Sequence, residues 1–365
     1  MSKPTPFRAE HVGSLLRPER LKVARAQKEA GAITAAQLAD VEDQTIRTLV
    51  SEQESIGLKD ITDGEFRRAF WHLDFMGGLN GVETYQSDQG IQFKGGQTKA
   101  MGLRVVGKIS PAPHYMIDHW KFVAANTRET AKAMIPSPTV LHYRGGRKAI
   151  NREVYPTMEE FYCDLSQAYK KVVSDFEQAG CRYLQLDEVN FAYLCDDEQR
   201  KMLRERGDDP DQLPSTYADL INAAISGRTD GMCIAMHLCR GNFKSMWIAS
   251  GGYEPVADLL FNQVNIDAYF LEWDSDRAGG FEPLRLVPKN KRVVLGLVTS
   301  KVGELEEKEF IKRRLDEAAQ FIDLDQVSLS PQCGFASTEE GNLLTEEQQW
   351  AKLRMIVEVS KEVWG

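Results

Sequence analysis

Long apolar runs are missing from this chain, and none approaches the roughly 20 residues that a membrane-spanning helix needs. Met1 to Glu10 lacks the apolar core of a secretory signal. The expected location is therefore the cytoplasm. Positive charge is also short: 45 Lys and Arg against 54 Asp and Glu leave a formal net charge of -9. Without a basic face, neither nucleic acid nor an anionic membrane is an expected partner. Cysteine is sparse, with 6 in 365 residues, all in apolar-periodic segments, so reduced thiols are expected in place of a disulfide framework. Cys163, Cys181, Cys195 and Cys233 read as small core hydrophobes. Gly77-Gly78 and Gly145-Gly146 do not form a phosphate-binding loop and are assigned to turns. No fixed-period repeat or low-complexity linker divides the sequence, so residues 1–365 are read as one domain.

What is present is an alternation of short apolar strands and amphipathic helices. Strands are predicted to end near Ser14, Glu65, Pro136, Glu188, Cys239, Glu272, Val298 and Cys333. Helices fit between most of them. Thr34-x-x-Gln37, Thr157-x-x-Glu160 and Thr345-x-x-Gln348 are start signals for three. Eight strands with intervening helices predict an α/β fold, a single (β/α)8 TIM barrel. Residues 70–110 are too long for a plain connection and are predicted to form an inserted hairpin or covering loop after the second strand.

In such a barrel the residues just past the carboxyl ends of the strands form the active face. The unusual polar residues fall there: Ser14, Asp63, Glu65, Asp187, Glu188, His237, Cys239, Glu272 and Cys333. The spacing of His237 and Cys239 is informative. Residues i and i+2 of a strand share a face about 7 Å apart, whereas on a helix they diverge by about 200°. With Glu272 and Cys333 they offer one nitrogen, two sulfurs and one oxygen, a set zinc accepts. A satisfied core histidine beside a buried cysteine is the plain alternative. Glu65 and Asp187 suit an ammonium group or proton transfer, or else pair with Arg67 or Arg68. His11 is a candidate substrate contact, while His72, His114, His119 and His142 read as structural or surface residues. Two thiolates and a carboxylate around Zn²⁺ leave a negative centre, poor for splitting water and suited to keeping a bound sulfur electron-rich.

With these residues in place the sequence resembles the cobalamin-independent methionine synthase family, in a short form corresponding to its catalytic C-terminal half. The likeness runs from about His11 to Trp364 through H-V-G-S, D-G-E-F, L-D-E, M-H-L-C, L-E-W and P-Q-C-G-F. It implies zinc held by His237, Cys239, Glu272 and Cys333, and the amino acid moiety of homocysteine held by Ser14, Glu65 and Asp187. Arg104 matches an arginine of the family's folate region, but Val105 replaces the cysteine beside it. The family's histidine after the seventh strand has no counterpart in Gly296-Leu297-Val298-Thr299-Ser300-Lys301.

The implied activity is a zinc-dependent S-methyltransferase acting on the thiol of homocysteine or a close analogue. Its methyl donor is left open among a methylfolate, a methylated corrinoid protein and a small methylated compound. Two alternatives stand beside it: a thiol alkyltransferase like the epoxyalkane:coenzyme M transferases, and a zinc- or thiol-binding protein without turnover.

Overall fold

The computed structural model describes residues 6–365. Its centre is a curled parallel sheet of seven strands: β1 (Asp60–Ile61), β2 (Thr130–Pro136), β3 (Tyr183–Glu188), β4 (Cys233–Leu238), β5 (Ala268–Glu272), β6 (Arg292–Val298) and β7 (Val327–Pro331). Neighbours in sequence are neighbours in the sheet, which is the arrangement right-handed β–α–β crossovers produce. All seven strands are almost entirely buried, because helices cover most of the outer face and side chains fill the inner one.

The segment predicted as the first of eight strands is reduced to one parallel bridge, Ala9 to Leu329 on β7. Two hydrogen bonds flank it, from Glu10 N to the Leu329 carbonyl and from Leu329 N to the Arg8 carbonyl, each 2.9 Å. On its other side the backbone of residue 11 meets the Asp60 side chain instead of a ladder. Local sequence favoured extension here. Gly13, at φ +120°, then turns the chain away, and any Cβ there would collide with the Met134 sulfur.

Helix starts follow the local signals. Thr34 and Gln37 form a complete capping box on Ala35–Ser55, as do Thr345 and Gln348 on Glu346–Trp364. Thr157 accepts the Glu160 amide at the head of Met158–Gln178, whose apolar stripe (Phe161, Leu165, Tyr169, Val172, Phe176) is buried. Between β5 and β6 there is no α-helix, only short 3₁₀ turns at Asp276–Ala278 and Glu282–Leu286, where Gly279-Gly280 and Pro283 interrupt any longer helix.

Residues 70–110 carry two antiparallel pairs, Val82–Gln86 with Met101–Val105 and Gln92–Phe93 with Gly96–Gln97. Hydrogen bonds tie this segment to the rim of the sheet, from Lys94 N to the Trp247 carbonyl (2.8 Å) and from Trp71 N to the Ser337 carbonyl (3.0 Å). Among the described residues no helix is long and apolar enough to cross a membrane.

The inner face is organised in layers by strand alternation. Val12, Tyr183, Cys233, Ala235, Ala268, Phe270 and Val294 form an apolar cluster separate from the main core. Further along the same inward rows stand Asp187 on β3, beyond Tyr183 and Gln185, His237 on β4, beyond Ala235, and Glu272 on β5, beyond Phe270. Asp187 is in register with His237. At the opposite end of this interior lies a fully buried polar group, with Lys132 Nζ 2.6 Å from Asp60 and 3.2 Å from Glu10.

Candidate metal centre and substrate cleft

His237 ends the inward row of β4, Cys239 follows two residues later, Glu272 ends β5 and Cys333 lies just beyond β7. Their donor atoms all fall within 4.8 Å of one another, and all four residues are buried. A tetrahedral zinc with ligands at about 2.0–2.3 Å separates them by roughly 3.3–3.8 Å. The four donors thus need to contract by only about 1 Å to grip an ion. Both ring nitrogens of His237 and one carboxylate oxygen of Glu272 are buried without a hydrogen-bond partner. Buried polar atoms are rarely left so, and a cation between them would satisfy one His237 nitrogen and the Glu272 oxygen. The residues therefore fit a metal.

Around them the backbone is fixed from several directions. Arg240 N donates to Glu272 Oε1 (2.9 Å), Gly241 N to Cys239 Sγ (3.3 Å), and Glu272 N to the Tyr253 hydroxyl (3.0 Å). Lys301 Nζ donates to the Gly241 carbonyl and Asn242 Oδ1, each 3.2 Å, and Asn242 in turn donates to the Gly334 carbonyl (2.7 Å). Gly334 is required for closeness: a Cβ there would lie 1.9 Å from Ser14 Oγ. The Cys239 and Cys333 sulfurs are 3.4 Å apart. The hydrogen bond between them holds the Cys333 thiol well below the ordinary range and pushes Cys239 well above it. Burial, then the charge of Cys333, pushes Glu272 up to about 7.

Three of the four, His237, Cys239 and Cys333, line a cleft of about 570 Å³ together with Ser14, Glu65 and Asp187. Glu65 sits at φ +61°, a left-handed conformation a non-glycine residue adopts rarely. Several contacts impose it. Asp63 accepts the Glu65 amide (2.9 Å), the buried Arg17 donates to the Glu65 carbonyl (2.9 Å), and Arg68 pairs with the carboxylate at 3.2 Å. Burial pushes the Glu65 carboxyl up to about 8 against the opposing charge of Arg68, with Asp187 adding to the rise. Asp187 is pushed up to about 6, also by burial, against His237 and the Gln185 hydrogen bond. Glu65 Oε2 has no partner. Two acids, one with a free oxygen, thus lie together on the cleft wall.

Not every residue expected at the mouth reaches it. His11 is buried in the lower interior, its Nε2 2.8 Å from the Asp60 carbonyl, and does not line the cleft. Arg104 lies on the outer hairpin, half-exposed and ion-paired with Glu83 beside the Tyr85 ring. Neither is positioned to touch a ligand at the metal centre. Glu188 is turned back toward Thr139 and Asn190. Conversely, the cleft contains residues that sequence reasoning passed over: Phe70, Trp71, Ile91, Phe93, Arg144, Tyr193 and Asn242. The aromatic richness of 70–110 marked a cover, but nothing local to Arg144 or Tyr193 marked them.

Comparison with known proteins identifies a family. The family model for the catalytic domain of cobalamin-independent synthases matches residues 7–362. An uncharacterised Bacillus subtilis protein, YxjH, is 51% identical, covering 98% of this chain and 95% of its own. A Pyrococcus furiosus methionine synthase is 24% identical over 88% of this chain and 84% of its own. A crystal structure from Listeria monocytogenes, of a candidate vitamin-B12-independent methionine synthase, superposes with a TM-score of 0.80. It is 40% identical and covers 99% of this chain and 98% of its own. The fold and site define an α/β protein with a buried His-Cys-Glu-Cys tetrad, which fits a metal, at the carboxyl ends of its strands. The chain belongs to the cobalamin-independent methionine synthase family, as a short form of its catalytic domain.

Proposed function

We propose that this protein is a zinc-dependent S-methyltransferase that passes a methyl group to the thiol of homocysteine or a close analogue. The observation that carries the reading is the convergence of the buried His237, Cys239, Glu272 and Cys333 donors, with His237 nitrogens and a Glu272 oxygen left unpartnered, beside the cleft that holds Glu65 and Asp187. We read residues 1–365 as one domain, a (β/α)8 barrel whose ring is completed by the bridge at Ala9 and whose mouth is covered by 70–110.

His237, Cys239, Glu272 and Cys333 would hold the zinc, which supplies the positive charge that keeps a thiol deprotonated at neutral pH. Glu65 and Asp187 bind the ammonium group of the acceptor, and the Ser14 hydroxyl is placed for its carboxylate. Phe70, Trp71, Phe93 and Tyr193 exclude water from the reacting sulfur, so that alkylation is favoured over hydrolysis. Among the described residues His237 is the only histidine lining this cleft, and it is committed to the tetrad, so the cleft wall itself offers no free imidazole to protonate a leaving group. Donors that leave without needing a proton are favoured by that arrangement. A test is to incubate zinc-loaded protein with homocysteine and, in turn, methyltetrahydrofolate, methylcobalamin and a methylsulfonium compound, following methionine by mass spectrometry. Methionine is expected from at least one donor; none from any of them, with zinc retained, leaves only a binding protein.

The two acids give a separate expectation. In the empty site Glu65 is held at about 8 and Asp187 at about 6, so at pH 6 an incoming ammonium must displace protons from both. As pH rises from 6 to 8 most of that cost is lost, with Glu65 still half protonated at the upper end. Affinity for L-methionine, which has the ammonium but no ionisable thiol, should therefore rise across this window by calorimetry. Asp187→Asn should weaken binding about 10- to 100-fold, and Glu65→Gln should flatten the pH dependence. Unchanged affinity in both variants would remove the ammonium socket.

A further inference from the structure

Arg144 is a cation that the metal centre and the ammonium socket do not use. It follows β2, at the end of the helix Thr139–Gly145. It lines the metal cleft, and it also lines a second space of about 980 Å³ beneath the hairpin, with Tyr85, Gln92, Met101, Gln199 and Met202 on the far walls. Ile91 and Tyr193 are the other two residues shared by both spaces. Arg144 therefore stands where the two join.

Its charge is uncommitted. Among the described residues no carboxylate lies within ion-pair distance of Arg144, and its Nε is buried without a hydrogen-bond partner. Its guanidinium carbon is 5.7 Å from the centroid of the Tyr193 ring. Arg206, on the wall of the same second space, shows the usual alternative: it is held by Asp208 at 2.6 Å and by the Tyr143 carbonyl at 2.7 Å. A guanidinium facing a cleft with no anion of its own is a site for one, because its planar donors match an oxyanion in a bidentate fork.

Two observations place that anion on the donor side. Glu65, paired with Arg68, and Asp187 line only the metal cleft, whereas Arg144 lines both spaces. Tyr193, whose ring lies beside the Arg144 guanidinium, lines both spaces and so stands with Arg144 where they meet. The acceptor occupies the near side of Tyr193, with its amine on Glu65 and Asp187. The far side leads under the hairpin.

Building on the methyltransferase reading, we propose that Arg144 anchors an oxyanion, such as a carboxylate or phosphate, of the methyl donor, whose body extends into the space beneath the hairpin. The donor is thus an anionic molecule with an apolar or aromatic body that lies against Ile91 and Tyr193, and its methyl end reaches the tetrad.

The test uses binding rather than turnover, on zinc-loaded full-length protein. The probe is 1-anilinonaphthalene-8-sulfonate, an aromatic oxyanion, with its uncharged counterpart N-phenyl-1-naphthylamine as control. Arg144→Gln should weaken the sulfonate probe about tenfold or more, leave the uncharged probe unchanged, and be partly rescued in Arg144→Lys. Homocysteine and its decarboxylated counterpart 3-aminopropane-1-thiol should each bind the variant as they bind the parent. Equal loss of both probes, or no loss of the sulfonate, overturns the anchor. A loss confined to homocysteine, with 3-aminopropane-1-thiol unaffected, assigns Arg144 to the acceptor's carboxylate and overturns the donor assignment. Because no methyl transfer is measured, these outcomes stand apart from failure of the donor screen, and near-UV circular dichroism reports whether each variant is folded.

Discussion

Cys239→Ser and Cys333→Ser are each expected to abolish stoichiometric zinc retention in dialysed protein and to lower methyl transfer by more than about 100-fold. Removing partners that only orient a metal ligand costs about 10- to 100-fold in affinity or activity, and a ligand itself contributes more. The substitution is nearly isosteric but exchanges a thiolate, fully deprotonated on a metal, for a hydroxyl that stays neutral. Both sulfurs are buried within 4.8 Å of the His237 and Glu272 donors, so no water-filled gap lets the site recruit a substitute. Metal content by plasma mass spectrometry, beside thermal unfolding, separates loss of metal from loss of fold. Full metal content and activity in both variants would sink the assignment of the tetrad.

The second large effect lies at the other end of the interior. Lys132 is fully buried and bonded to Asp60, Glu10 and the His11 carbonyl, while Tyr183 donates to Glu10 at 3.0 Å. Burial works against the Lys132 charge, but Asp60 and Glu10 raise its pKa above the ordinary value. Burial and the neighbouring Asp60 push Glu10 well above the carboxylate range. Removing one partner of a buried ion pair typically costs about 3–5 kcal/mol, because the other charge is left uncompensated. Lys132→Met is expected to lower the unfolding free energy by about that much at pH 7.5. The sign of its pH dependence follows from linkage. Without the ammonium both Glu10 and Asp60 have folded pKa values raised above their unfolded ones, so the native state binds more protons, and the variant gains stability as pH falls. Urea unfolding at pH 5.5 and 7.5 should show a smaller deficit at the lower pH. A deficit below about 1 kcal/mol at both would mean that the triad is not a buried ion pair of the usual worth.

These two sites mark how far the sequence could be read. The tetrad was legible because its geometry is mostly local. In a strand, alternate residues share a face, so Cys233, Ala235 and His237 point inward together, and a polar residue at the end of an inward row is exposed at the mouth. The same alternation brings out Asp187 two residues beyond Gln185 and Glu272 two beyond Phe270. The capping boxes at Thr34 and Thr345 were legible for the same reason, since a cap and its partner are three residues apart.

Other features needed contacts between distant parts of the chain. His11 reads like a mouth residue beside Gly13 and Ser14, yet one strand-like step places it in the lower interior against Asp60, where its role is structural. The pairing of Lys132 with Glu10 spans 122 residues, and each alone reads as an ordinary charge at a strand edge. Arg104 is separated from the cleft by the twist of the hairpin that carries it, whereas Arg144 and Tyr193, unmarked by any motif, arrive there from helices packed beneath that hairpin. The sequence by itself determined the α/β alternation and the ligand set, because both depend on periods of two to four residues. Only the tertiary structure decided what covers the mouth and which charges are left free there, because loop packing and ion pairing depend on which distant segments meet.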